Sequence, residues 1–168
     1  MAVVSTLRCT RCSHEDDPRT HEHACTACGG VHDVIYDYEA LFARFTVDDL
    51  RADPRRDVRR SLPLMPVDPQ GPLTPLTVGW TPLVNARRLA KELGVRQLWL
   101  KDDSRNPTGS FKDRASFVGV ARAAAGRHTV VAAASTGNAA TSLAGLAASM
   151  GLVSHIFVPA TAPEAKVT

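Results

Sequence analysis

Four cysteines constrain this chain more than any other feature. Cys9-Thr-Arg-Cys12 is followed, after twelve residues, by Cys25-Thr-Ala-Cys28. A CxxC segment makes a tight turn whose two sulfurs face one point, and two such turns at this spacing suit a tetrahedral zinc site of four thiolates. Gly29 and Gly30 follow the second pair and give the backbone room to turn. Between the pairs lie His14, Glu15, Asp16, Asp17, His21, Glu22 and His23, a polar stretch with no apolar core. Such a segment cannot fold on burial alone, so a metal is its natural staple. Disulfides are the competing reading, but they need an oxidising compartment that nothing here indicates. A redox CxxC is a third, but neither pair precedes a helix in a βαβ unit. His14, His21, His23 and His32 are further candidate ligands, although four thiolates already close a site. A zinc ribbon is thus expected over residues 1–33. It says little of function, because ribbons bind nucleic acid, bind proteins or brace enzymes.

The rest of the chain is long enough for one ordinary domain: 168 residues in all, 44% hydrophobic, net charge +3. Only 5% of residues are aromatic, so the core must be built largely of Val, Leu and Ala. The charge is too mild and too mixed to point to nucleic acid. The run Arg55, Arg56, Arg59, Arg60 reads as a solvated face. No apolar h-region precedes Arg8 and Cys9. Thr129 to Ser154 carries no charge, but Asn138 sits in its middle, and the stretch reads as strand, turn and helix rather than a membrane span. A cytoplasmic protein without membrane or nucleic-acid partners is the expectation.

Residues 34–73 look transitional. Tyr36-Asp-Tyr38 leads to Leu41, Phe42 and Phe45, a short strand and a helical turn. Pro54, Pro63, Pro66, Pro69 and Pro72 then read as an extended connector over a surface. From residue 74 an α/β rhythm begins. Val84 to Leu93 has helical spacing stopped by Gly94, and Gln97 to Leu100 is a short strand. Lys101 to Gly109 is a loop. Ser110-Phe-Lys-Asp113 matches a capping box that starts a helix at Phe111 or Lys112 and carries it to about Ala125. Thr129–Ala134 is a buried strand, Ala139–Met150 a helix of small residues closed by Gly151, and Leu152–Val158 another strand. This alternation predicts a mostly parallel sheet covered on both faces. Ligands of such sheets gather where strand ends meet helix starts, which singles out the loops Asn106–Lys112 and Ser135–Asn138.

Lys112 is the residue to weigh. In the first turn of a helix its amine meets the positive end of the helix dipole, an unusual setting for a cation. A neutral lysine amine is a nucleophile that can form a Schiff base. The alternative is a lysine that snorkels to solvent. Asn138 has an equally ordinary alternative as a turn asparagine.

Residues 101–114, Lys-Asp-Asp-Ser-Arg-Asn-Pro-Thr-Gly-Ser-Phe-Lys-Asp-Arg, resemble the cofactor-lysine segment of the threonine synthase family. That family belongs to the pyridoxal-5′-phosphate (PLP) enzymes of fold type II, the tryptophan synthase beta-like superfamily. Ser135-Thr-Gly-Asn138-Ala-Ala140 is similar to its asparagine loop, and Thr81-Pro-Leu83 to its entry motif. The cysteine ribbon also occurs in some threonine synthase-like proteins. The resemblance implies the N-terminal portion of such an enzyme, with residues 74–168 forming an incomplete α/β, parallel-sheet PLP core behind the ribbon. It implies that Lys112 carries PLP, that Phe111 and Ser110 shape the cofactor cleft, and that Asn138 hydrogen-bonds the cofactor's 3′-oxygen. Ser135, Thr136 and Gly137 would receive the carboxylate of an amino-acid substrate, and Cys9, Cys12, Cys25 and Cys28 would hold structural Zn2+.

The implied reaction converts O-phospho-L-homoserine and water to L-threonine and phosphate. Another fold type II enzyme, a threonine dehydratase or cysteate synthase, is the nearest alternative. A non-catalytic zinc-ribbon binding protein is the other; its ribbon would be basic and aromatic, whereas this one is acidic and rich in histidine. The family's glycine-rich phosphate loop has no counterpart here. The chain is therefore expected to be a fragment, a truncated product or half of a split enzyme, inactive alone and completed by a C-terminal half or by oligomerisation.

Overall fold

A computed structural model describes residues 4–20 and 24–162. Its N-terminal unit is a three-stranded antiparallel sheet of β1 (Val4–Cys9), β2 (Glu15–Asp16) and β3 (His32–Tyr36), in the order β2-β1-β3. Leu7 pairs with Asp16 on one side and with Val34 on the other, so β1 is the central strand. The third strand runs on to Tyr36, which the sequence reading had placed beyond the ribbon. The stretch between the cysteine pairs is also less coreless than expected, because Asp16 is buried alongside Leu7, Cys9 and Cys25.

The connector contains α1 (Tyr38–Phe42) and α2 (Val47–Ala52), the latter closed by a capping box between Thr46 and Asp49. A 3-10 turn over Val58–Leu64 follows and accommodates Pro63. This segment was expected to lie extended over a surface. Instead Val58, Leu62 and Val67 enter the main core with Val78, Phe117 and Leu146. Prolines rule out long helices but leave apolar side chains free to point inward, and each one fully buried contributes about 1.5–3 kcal/mol. The arginine run is likewise not simply solvated. Arg59 donates to Asp57 and to the Thr74 carbonyl, and Arg60 donates to the Leu50 carbonyl and lies 4.4 Å above the Trp80 ring.

The remaining elements are β4 (Leu83–Asn85), α3 (Arg87–Glu92), β5 (Trp99–Lys101), α4 (Lys112–Ala125), β6 (Val130–Ala134), α5 (Asn138–Ser149) and β7 (Val153–Phe157). Val84 falls in a strand, not in the expected helix, because Leu83–Asn85 pairs with Trp99–Lys101. The expected single parallel sheet is also corrected. Among the described residues β4 and β5 form an antiparallel pair, and only β6 and β7 are parallel, in register from Val130↔Val153 to Ala134↔Phe157. Nor is β6 buried: its residues alternate between exposed and half-buried, and so do those of β7. Helix α5 packs against this pair, while Val130, Val153 and Phe157 stay exposed. No helix among the described residues is long and apolar enough to cross a membrane.

Candidate active site and metal centre

The four cysteines converge as their spacing predicts. Their sulfurs all lie within 4.8 Å of one another, with Cys9 Sγ 3.5 Å from Cys28 Sγ and Cys12 Sγ 3.7 Å from Cys25 Sγ. Zinc–sulfur bonds of about 2.3 Å at tetrahedral angles place sulfurs about 3.8 Å apart, so this donor set fits a zinc ion. A Cβ on Gly30 would stand 2.8 Å from Cys9 Sγ, which makes glycine a requirement of the close approach.

Backbone N–H groups, that of Cys12 foremost, hold the Cys9 thiol down at about 6. Burial pushes Cys25 up, and sharing a hydrogen bond with the Cys12 thiol drives Cys28 up to about 12. One sulfur thus ionises readily and its neighbours then resist, a conflict that a divalent cation resolves. His32 stands beside one of the sulfurs, since it, Asp16 and Cys25 offer ligand atoms within 4.8 Å of one another. Its Nε2 meets Asp16 Oδ2 at 2.8 Å, while Asp16 Oδ1 accepts from Thr26 Oγ1 at 2.5 Å. Those hydrogen bonds, Thr26 foremost, hold Asp16 at about 2. His14 also faces Asp16, at 3.5 Å; His21 and His23 lie outside the described residues.

The second cluster is built around the start of α4. The expected capping box does not form there. Phe111 is the N-cap, and no side chain caps the helix. Ser110 Oγ instead accepts from the Lys112 N–H at 3.3 Å, and Asp113 turns inward, fully buried. Its carboxylate accepts from Thr108 N at 2.8 Å and from Thr108 Oγ1. Lys112 is half-buried with its Nζ 4.5 Å above the exposed Phe111 ring.

Upstream, buried Asn106 accepts from the Gly79 N–H at 2.8 Å and donates to the Asp103 carbonyl at 3.0 Å. Arg114 grips the Asp103 carboxylate with two N–H groups, at 2.7 and 2.8 Å, and Thr81 Oγ1 donates to it at 2.5 Å. These bonds, the Arg114 pair foremost, hold Asp103 far below the usual carboxylate range. Asp103, Asn106 and Arg114 were recognised only as letters of a segment. Apart from the Asn106–Asp103 bond, their partners stand 11 to 33 residues away, beyond any local pattern.

Asn138 opens α5, which also lacks a side-chain cap. In the loop before it the Gly137 N–H donates to Ser135 Oγ at 3.2 Å; Ser135 and Thr136 are half-buried, Gly137 and Asn138 exposed. Helices α4 and α5 meet at Ser116 and Ser142, whose hydroxyls are 2.8 Å apart. Each serine lies four residues past the first residue of its helix, on the same face as that residue. Lys112 and Asn138 are therefore each about 6 Å along a helix axis from one shared contact. Both helices that the two loops lead into thus begin uncapped, one turn from a contact they share.

A family model for pyridoxal-phosphate dependent enzymes matches residues 74–168, more than half of the chain, and the chain belongs to that family. The relatives it is similar to are threonine synthases, as the lysine segment led one to expect. It is 38% identical to the Methanocaldococcus jannaschii threonine synthase over 154 residues, and 36% identical to that of Methanosarcina acetivorans over 156. These alignments take in 90% and 92% of this chain but only 37% of each relative. A Bacillus threonine synthase is 41% identical over 95 residues, 56% of this chain and 27% of the relative.

Proposed function

We propose that this chain is the lysine-bearing part of a threonine synthase, an enzyme that makes L-threonine and phosphate from O-phospho-L-homoserine and water. The observation that carries the reading is the packing of the helices that Lys112 and Asn138 open, joined at the Ser116–Ser142 contact within a segment that matches the PLP-dependent family.

In this reading Lys112 holds PLP, which supplies an electron sink for the substrate's carbons when bound. The Lys112 amine then accepts and returns protons at the substrate carbons. Phe111 and Ser110 line the cofactor's cleft. Asn138 offers a neutral amide to the cofactor's 3′-oxygen without adding charge. Ser135, Thr136 and the Gly137 N–H receive the substrate carboxylate at an uncapped helix start, where free N–H groups favour an anion. Cys9, Cys12, Cys25 and Cys28 hold a structural zinc that makes up for the ribbon's small core. The chain divides into a ribbon at 1–33, a connector at 34–73 and a catalytic segment at 74–168, and it works in the cytoplasm.

The test is a chimera. Residues 1–168 replace the matched segment of the Methanocaldococcus jannaschii threonine synthase, and products from O-phospho-L-homoserine are measured. Threonine and phosphate in equal amounts are expected, with both lost in Lys112→Ala. A folded, PLP-bearing chimera that releases no phosphate, but deaminates threonine, would favour the dehydratase reading.

A further inference from the structure

Asp113 is the buried charge that the proposed chemistry leaves unused. It is fully buried, directly follows Lys112, and its described hydrogen bonds come from the N–H and hydroxyl of one residue, Thr108. Burying a carboxylate is costly unless donors meet it, so both bonds are needed if Asp113 is to stay inside. Successive residues of a helix point about 100° apart. Holding Asp113 inward therefore turns Phe111 and Lys112 out of the core, as their exposures show.

Thr108 is itself pinned from the far side. A Cβ on Gly145 of α5 would come within 2.8 Å of Thr108 Cγ2. Thr108 therefore sits flush against the helix that Asn138 opens. At the other end of the loop Asn106 is fastened to Gly79 and Asp103. The loop that delivers Lys112 is thus fixed at Asn106 and again at Thr108, and only the second fixing refers it to α5.

From this geometry we infer that Asp113 and Thr108 are positioning residues: their paired hydrogen bonds, seated on Gly145, set the direction of Lys112 relative to Asn138. The inference rests on the reading of Lys112 as the PLP lysine. A lysine misplaced by about 1 Å can lose about 10²-fold in reactivity toward a bound partner, so a positional effect is large enough to read.

The experiment measures the rate at which PLP plus borohydride fixes the cofactor on Lys112 of the 168-residue chain, followed by peptide mapping, with circular dichroism as the check on folding. Thr108→Val removes the hydroxyl donor, and Asp113→Asn replaces the carboxylate by a neutral amide with a single acceptor oxygen for the two Thr108 donors. Both should slow fixation on Lys112 by about tenfold or more while the helix signal is kept. Thr108→Ser keeps both donors but gives up the methyl seat on Gly145, so it should fix PLP faster than Thr108→Val. Should Asp113→Asn not fold, Thr108→Val decides the matter, since it leaves the carboxylate and one of its donors in place. Equal rates in Thr108→Val and the unaltered chain would overturn the positioning role while leaving the PLP reading intact. No fixation on Lys112 in the unaltered chain, nor in the chimera that completes it, would remove both.

Discussion

Two glycines lie inside the two helices that open on Lys112 and Asn138, and the structure assigns them opposite behaviour. Gly119 of α4 has nothing within 4 Å of the place where a Cβ would stand, whereas at Gly145 of α5 that Cβ meets Thr108 Cγ2 at 2.8 Å. Replacing a helix-interior glycine by alanine gains up to about 1 kcal/mol where space allows. Forcing an extra methyl into a packed contact costs about 1–3 kcal/mol. Gly119→Ala should therefore stabilise by about 1 kcal/mol, and Gly145→Ala should be neutral to destabilising by about 2. For a chain of this length each kcal/mol moves Tm by about 2–4 °C. Differential scanning calorimetry should then show Gly119→Ala melting about 2–4 °C higher and Gly145→Ala up to about 8 °C lower than the unaltered chain. Thr108→Ser deletes Cγ2 and keeps the hydroxyl for Asp113, so it should restore most of the loss when added to Gly145→Ala. If Gly145→Ala stabilised as much as Gly119→Ala, Thr108 would not be seated on α5, and the argument for a fixed loop would fall.

Purified chain should contain about one zinc, as four thiolates at one point require, and Cys25→Ser should release it and unfold the ribbon while the helical signal of α4 and α5 persists; two disulfides by mass and no metal would contradict this. Asp103 titrates far below the roughly 3.9 of an unfolded aspartate, so its contribution is fully present above that pH and is lost as the pH falls toward the folded value. Tm should accordingly drop between about pH 5 and pH 2, and Asp103→Asn, less stable at neutral pH, should show a shallower drop over that window; an unchanged slope would refute the Arg114–Asp103 account. Asn138→Ala should keep PLP fixation on Lys112 but shift the bound cofactor's absorbance, because a hydrogen bond and not a covalent link is removed.

Much of this was visible in the residues because it is local. The CxxC turns bring their own sulfurs together, and α4 and α5 begin and end within a residue or two of where turn residues and Gly151 mark them. Long-range pairing was hidden. Val84 reads as part of a helix until Trp99–Lys101 claims it as a strand partner. Ser110 and Asp113 have the spacing of a capping box, but Thr108 offers Asp113 two donors and draws it into the core. The proline-rich connector looked extended because its prolines exclude long helices, and only the folded chain shows Val58, Leu62 and Val67 sharing one core with Phe117. The proposed site follows the same division: Lys112 and Asn138 are singled out by their segments alone, while the Asp103–Arg114–Thr81 and Asn106–Gly79 ties that hold the lysine loop appear only in the folded chain.

The central claim is that Lys112 is the residue on which PLP is held. The chain has four lysines, Lys91, Lys101, Lys112 and Lys166. Lys91 lies in α3, Lys101 ends β5 with its amine on the Thr81 carbonyl, and Lys166 is outside the described residues. Incubation with PLP, reduction with borohydride and peptide mapping discriminate among them directly. The account predicts the reduced cofactor on Lys112 at substoichiometric PLP, and its disappearance from the map in Lys112→Ala without transfer elsewhere. Cofactor fixed on Lys101, or spread evenly over the lysines, would contradict it.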